Sequence, residues 1–400
     1  MSGLEVGIGG DLVKKFILHN LPKIQEIGKG VLKGAKDELR LTLEKTYKAY
    51  LEETLKKHTF TKSFFLRNSS VGLYEFYVPI ALRMEKRTIN DPNFSNLSES
   101  SKRIVVLGSG GCGKSILMKH LFISCISAQF QVPVFIELRE YNNEKTTLMG
   151  LIEATLSSFS FDFDSIFIKK AIIKGHYAFI FDGFDEVSLK KRNKLIQDIQ
   201  KLSKIGKGCT IIISSRPDDV FSGINEFDIY QVKNLSLTSA CMLVEKLPFD
   251  GEIKKKFVDK LKQGLFEKHT SFLSNPLLLS IMLLTYGQNA EIPGKLTLFY
   301  NQAYEALFQR HDALKAGFKR ERRTNLDIRD FERVFSTFCL QTYDKRQFAF
   351  SKTQALNYIS KIGRHLSLDI PNECFLDDAL KATCLLPAFG KRSKTLWNKL

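Results

Sequence analysis

No stretch of this 400-residue sequence is apolar for long enough to cross a bilayer. The longest, Leu277 to Tyr286, is about half of the roughly 20 residues required. The start of the chain also lacks the basic, apolar and small-residue succession of a secretory signal, so a cytoplasmic protein is expected. Cysteine is sparse and scattered: seven residues, Cys112, Cys125, Cys209, Cys241, Cys339, Cys374 and Cys384, with no C-x-x-C pair. That excludes a zinc ribbon and a disulfide framework and predicts reduced, mostly buried thiols. No internal repeat of solenoid period is present. What the chain does have is core material, 44% apolar residues including 32 phenylalanines, alongside 26% charged residues. This composition excludes a membrane bundle and a disordered chain, and the length predicts two or three domains.

Acidic residues are in deficit. Lys plus Arg number 60 against 43 Asp plus Glu, a net charge of +17 that attracts polyanions at low salt. The excess is spread along the chain, with concentrations from Lys14 to Lys57 and in Lys319–Arg323. No nucleic-acid-binding module accompanies it, so nucleic acid is allowed by charge but not indicated by motif. A membrane is not an expected partner, because Gly28, Gly30 and Gly34 interrupt the basic helical stretch.

Four regions follow from the patterning. From Asp11 to about Lys57, apolar residues recur at helical spacing, broken near Pro22 and the glycines. The run Leu73–Pro79 is β-prone and predicts a strand; the polar segment Asn90–Lys102 then predicts a boundary. From Arg103, short β-branched or aromatic runs at 104–107, 134–138, 177–181 and 210–214 read as strands buried on both faces of a parallel sheet. They alternate with helices at 116–126, 148–158, 165–174 and 190–204, the signature of a doubly wound α/β domain. From Ser236 onward helical periodicity takes over. The expected domains are therefore 1–100, an N-terminal helical region and linker; 101–235, the α/β domain; 236–292, a small helical domain; and a further helical part over 293–400.

Chemistry concentrates in three places. Gly108-Ser109-Gly110-Gly111-Cys112-Gly113-Lys114-Ser115 fits G-x-x-x-x-G-K-[ST] and lies between a predicted strand and a helix opening at Ile116. Its glycines let backbone N–H groups wrap phosphates, Lys114 reaches the β- and γ-phosphates, and the Ser115 hydroxyl takes one Mg²⁺ position. The strand Ala178–Phe181 ends in Asp182-Gly183-Phe184-Asp185-Glu186. Asp182 is the candidate second oxygen beside Mg²⁺, and Glu186, or else Asp185, the candidate for activating water; the plainer reading is that these acids cap the next helix. The strand Thr210–Ser215 delivers Arg216 to its C-terminal edge, where it can read a γ-phosphate or form a surface ion pair.

Together with Val134–Arg139, Ser214-Ser215-Arg216-Pro217, Asn275-Pro276-Leu277-Leu278-Leu279 and Ile292–Tyr300, these motifs resemble the NACHT family of signal-transducing (STAND) P-loop ATPases over roughly residues 103–345. The resemblance implies a nucleotide-binding domain, a small helical domain and a winged-helix domain working as a switch. In such a switch ADP holds a closed monomer, and ATP accompanies opening and homo-oligomerisation. It implies that Asp182 and Glu186 serve Mg²⁺ and water, that Arg216 senses the γ-phosphate and that Pro276 lies against adenine; Pro276 equally suits an ordinary first helical turn. Bacterial members serve in antiphage defence and animal members in innate immunity.

The family's phosphate-contacting histidine and repeat-built sensor have no counterpart here, and His365 reads as an exposed polar residue. A truncated or minimal member, or one with a separate trigger or sensor partner, is expected, its winged-helix-like part incomplete and its ADP held less firmly. The first hundred residues are either the output element or packed scaffold, and the stretch around Leu73–Val78 can edge the adenine pocket. A dedicated P-loop enzyme, a kinase or a nucleic-acid-dependent ATPase, is the alternative function; neither a lid nor further helicase motifs are seen. Because Lys114 supplies the loop's mobile cation, Lys114→Ala is expected to fold yet bind ATP and ADP poorly. Wild-type affinity by calorimetry would remove the phosphate-loop assignment.

Overall fold

The computed structural model describes residues 14–15, 17–19, 36–61, 71–157, 165–289, 323–347 and 350–382. By internal contacts the chain divides into two compact units. The first comprises Met1–Lys62, Asn68–Gly108 and Gly113–Asn234; the second comprises Ser63–Arg67, Ser109–Cys112 and Leu235–Leu400.

The first unit is built on a seven-stranded sheet. Strands β1 (Phe60–Thr61) and β2 (Val71–Gly72) form a separate small pair. In the main sheet, β3 (Leu82–Met84), β4 (Arg87–Ile89), β5 (Arg103–Leu107), β6 (Val132–Glu137), β7 (Tyr177–Asp182), β8 (Thr210–Ser215) and β9 (Asp228–Val232) lie in the order β4-β3-β9-β5-β8-β7-β6. From β9 to β6 all pairings are parallel; β3 and β4 add an antiparallel edge. The chain leaves β5 for β6 at the far edge and returns through β7 and β8, so right-handed crossovers put helices on both faces. This is the expected doubly wound α/β domain. Its central strands are covered on both faces, and Thr210–Ser215 is buried throughout. That burial is why these runs do not alternate in polarity.

The helices at Lys114–Ser127, Leu148–Ser157, Ser165–Ile173 and Leu189–Ile205 coincide with the predicted ones to within two residues. Two readings change. Leu73–Phe76 is a helical turn rather than a strand: Leu73 and Phe76, three apart, share the buried side, and the Glu75 carboxylate accepts from Gly72 N (3.2 Å). Local capping and a one-sided core contact override β-propensity there. Residues 77–100 also do more than link domains, since β3 and β4 join the sheet and the helix Phe94–Ser100 buries Phe94 and Leu97 in the same core.

The helix Lys36–Thr59 belongs to this core as well. Tyr47, Tyr50, Leu51 and Leu55 are buried, the Tyr47 and Tyr177 hydroxyls are 2.7 Å apart, and Tyr50 Oη donates to Pro133 O (3.0 Å). In its last turn, His58 is wedged between Phe122 and Phe135, with ring centroids 5.3 and 4.1 Å away. Burial, reinforced by Lys119 and Lys57, pushes this imidazole down to about 3.

The described part of the second unit is helical: Leu237–Lys246, Gly251–Lys260, Pro276–Asn289, Ile328–Asp344, Lys352–Leu366 and Asn372–Asp377 are its principal helices. Phe331, Phe338, Ile359, Ile362 and Phe375 form a core for the last three, and buried Asp378 accepts from Arg323 N, Thr324 N and Thr324 Oγ1. His365 is exposed on Lys352–Leu366. The Ile292–Tyr300 motif, Lys319–Arg322 and the basic residues after Ala382 lie outside the described residues. Among those described, no helix is long and apolar enough to cross a membrane.

Because His58 is neutral when folded and has an ordinary pKa when unfolded, the unfolded chain binds the extra proton between pH 6.5 and about 3. Stability is therefore full above pH 6.5 and falls through that window, by up to about 1.4 kcal/mol per pH unit from this residue. His58→Phe should flatten the dependence; urea unfolding of both proteins between pH 7 and 5 checks it.

Candidate nucleotide site

The site forms where β5, β7 and β8 end. β5 and β8 are neighbours whose onward connections leave in opposite directions, and open α/β sheets bind ligands outside such strand ends.

At the end of β5, Gly108 N donates to Ser215 O (3.1 Å), pinning the start of the loop to β8. Gly111 and Gly113 have φ of +74° and +96°. A Cβ on Gly113 would stand 2.3 Å from Ile80 Cδ1, and one on Gly111 2.5 Å from Leu277 Cβ, so backbone shape and space both demand glycine. Gly113 caps the helix Lys114–Ser127, and Leu117 N donates to Gly113 O (3.0 Å). The helix thus starts where a phosphate would meet its N-terminal N–H groups. Lys114 Nζ folds back onto Gly108 O (2.7 Å), Cys112 is buried, and Ile116 packs against the core. Tyr77 stacks on His120 of the same helix, with centroids 4.6 Å apart and 19° between planes, so the segment Tyr77–Ile80 runs along its first turns.

Strand β7 delivers Asp182, whose Oδ1 accepts from Ser214 Oγ (2.5 Å); the same hydroxyl accepts from Gly183 N (2.8 Å). Gly183, at φ +81°, turns the chain into the short helical turn Phe184–Glu186. Asp185 accepts from Arg216 N (3.0 Å) and faces Arg216 Nε at 3.3 Å, in a pair less than a tenth exposed. Glu186 is buried, and its carboxyl lies 3.0–3.3 Å from where a Gly183 Cβ would be.

Two residues that the motifs did not flag hold this box. Asn142 Nδ2 donates to Glu186 O (2.9 Å) while its Oδ1 accepts from Ser188 N (2.8 Å). Arg192 donates to Asp185 O (2.7 Å) and Val187 O (2.9 Å) and pairs with Asp218 (2.7 Å). Neither stands out in sequence, since an Asn after a strand and an Arg in a helix are unremarkable until the carbonyls they reach are known.

The loop turn Ser109–Cys112 packs with the second unit. Within that unit Asn275 Nδ2 donates to Gly110 O (3.0 Å) and Leu277 N to Gly111 O (3.3 Å), while Asn275 Oδ1 accepts from Leu277 N (3.0 Å) and Leu278 N (3.3 Å). Pro276 opens the helix Pro276–Asn289, and Asn275 both caps it and tethers the loop.

Residues 102–248 match the NACHT domain family. The chain therefore carries a P-loop NTPase domain, spanning β5 to the first helix of the second unit. No curated protein matches the sequence significantly. Among solved structures, a chain in a structure of Drosophila ORC bound to DNA is 11% identical, with 76% of this chain and 80% of that chain covered and a TM-score of 0.35. At that level the fold rests on the strand order and loop geometry above, not on the likeness.

The residues present suit Mg²⁺. Asp182 Oδ2 and the Ser115 hydroxyl have no hydrogen-bond partner among the described residues, and both are the hard oxygen donors that this ion takes alongside waters and substrate phosphates. No cluster of three or more metal-ligating His, Cys, Asp or Glu side chains occurs among the described residues.

Removing one member of the Asp185–Arg216 pair strands a buried charge, so Asp185→Ala should cost about 3–5 kcal/mol. Asp185→Ala/Arg216→Ala should cost less than the two single changes together. Urea unfolding of the three variants gives the coupling, and additive losses would show that the pair contributes nothing.

Proposed function

We propose that the protein is an ATP/ADP switch that hydrolyses ATP slowly and assembles with copies of itself when ATP replaces ADP. The observation that carries this reading is that the turn of the phosphate loop is hydrogen-bonded to the start of the helix Pro276–Asn289. Gly110 and Gly111 are hydrogen-bonded to Asn275 and Leu277, so a nucleotide that reshapes the turn acts on the helix Pro276–Asn289.

With nucleotide bound, the loop's N–H groups and Lys114 would hold the phosphates and Ser115 and Asp182 would hold Mg²⁺, and the family resemblance would put Pro276 against adenine. Mg²⁺ supplies charge neutralisation on the phosphates. Ser214 keeps the Asp182 carboxylate aimed by donating to its Oδ1, and Glu186 takes a proton from the attacking water. Arg216 is occupied by Asp185, so sensing a γ-phosphate means exchanging one anion for another. An immune or antiphage role is the family's and is proposed here by resemblance.

Glu186→Gln should bind ATP and lose turnover by about 100-fold or more. Asn275→Asp keeps the cap acceptor but deletes the donor to Gly110 O; it should bind both nucleotides yet lose the size change that wild type shows between ADP and a non-hydrolysable ATP analogue. Light scattering reads the size, and an unchanged wild-type mass in both nucleotides would sink the switch.

A further inference from the structure

The helix Leu189–Ile205 buries Leu195, Ile196, Ile199 and Leu202. On its opposite side, steps of four, three, four and three residues line up Lys190, Lys194, Gln197, Lys201 and Lys204, all exposed, with Asn193 beside them. The line is about 21 Å long, from a rise of 1.5 Å per residue. It contains no acid: the helix's one carboxylate, Asp198, sits to the side and accepts from Tyr141 Oη (3.0 Å).

These four lysines have no structural task. Lys191, on the flank, does: its Nζ donates to the carbonyls of Tyr141, Asn142 and Asn143. In the last turn of the helix Leu202 O accepts from Gly206 N and Ser203 O from Arg103, and the carbonyls just beyond it are taken as well. Arg103 donates to Ser203 O (2.9 Å), Gly206 O (2.8 Å) and Cys209 O, and Lys102 to Gly208 O (3.0 Å). No carboxylate lies within ion-pair distance of Lys190, Lys194, Lys201 or Lys204 among the described residues. Where this helix ends, the chain meets the end of Ser165–Ile173, with Gly206 against Ile172, and Lys174 and Lys207 continue the exposed positive charge.

We infer that this face docks the phosphate backbone of double-stranded nucleic acid. The occupant is set by what the face offers: a straight row of ammonium groups with amides between them, the donors that contact phosphate without reading sequence. No aromatic side chain is on the row to stack unpaired bases, which favours a duplex over a single strand. The exposed apolar residues beside it are Ile205 and Ile173, too little to enter a bilayer. The inference stands independently of the nucleotide switch.

The test is fluorescence anisotropy with a labelled 30-base-pair duplex of arbitrary sequence between 50 and 200 mM salt. It compares wild type with Lys190→Gln/Lys194→Gln/Lys201→Gln/Lys204→Gln and with a control that loses the same charge elsewhere, Lys255→Gln/Lys260→Gln/Lys262→Gln/Lys268→Gln. All eight positions are exposed, so both variants should fold. The first variant should bind at least tenfold more weakly at 100 mM salt, with its log–log salt slope reduced by about 3 to 4; the control should stay near wild type. Labelled ADP binding, measured on the same proteins, should not change. Absence of duplex binding by wild type at 50 mM salt, equal loss in both variants, or preference for phosphatidylserine vesicles over duplex would each overturn the inference.

Discussion

Three consecutive residues at the end of β8 hold the candidate site together. Ser214 grips Asp182 and Gly183, Ser215 accepts from Gly108 at the start of the phosphate loop, and Arg216 holds Asp185. They can do so because β8 lies between β5 and β7, so a residue at its end reaches the loop on one side and the acidic box on the other. Buried polar groups are costly unless satisfied, and the Ser214 hydroxyl, the Ser215 carbonyl and the Asp185 carboxylate are each satisfied by a partner here. The site is accordingly one hydrogen-bonded network rather than a set of separate motifs.

That network encloses one ion pair. Arg216 and Asp185 sit in a nearly dry environment, where an ion pair is hard to break without a replacement anion. Asn142 and Arg192 meanwhile fix the backbone of the acidic box by its carbonyls, while Ser214 Oγ holds the Asp182 carboxylate and the Gly183 turn brings the Glu186 carboxyl close beneath it.

The N-terminal helix changes meaning in the fold. Its stripe reads in sequence as an amphipathic surface awaiting a partner, and Tyr47, Tyr50, Leu51 and Leu55 find that partner in the nucleotide-binding core itself. The hydroxyl contacts to Tyr177 and Pro133 make it a fitted element of that core.

The sequence by itself determined the α/β core, the phosphate loop and the order of the strand-end residues. Those features depend on local patterns: unbroken apolar runs for strands covered on both faces, glycines where φ is positive, and a lysine at fixed spacing. It did not reveal β3, β4 and β9. The turn between β3 and β4 is Glu85-Lys86, with Glu85 at φ +50° and no glycine or asparagine to announce it, and β9 is a short strand at the side of the parallel core. Nor did it reveal Leu73–Phe76 as helix, the bond of Asn275 to the phosphate loop, or which lysines of Leu189–Ile205 are held and which are not. Each of these depends on groups far apart in the chain, such as Gly110 with Asn275 or Arg103 with Cys209, and only tertiary packing decides which donors meet which carbonyls.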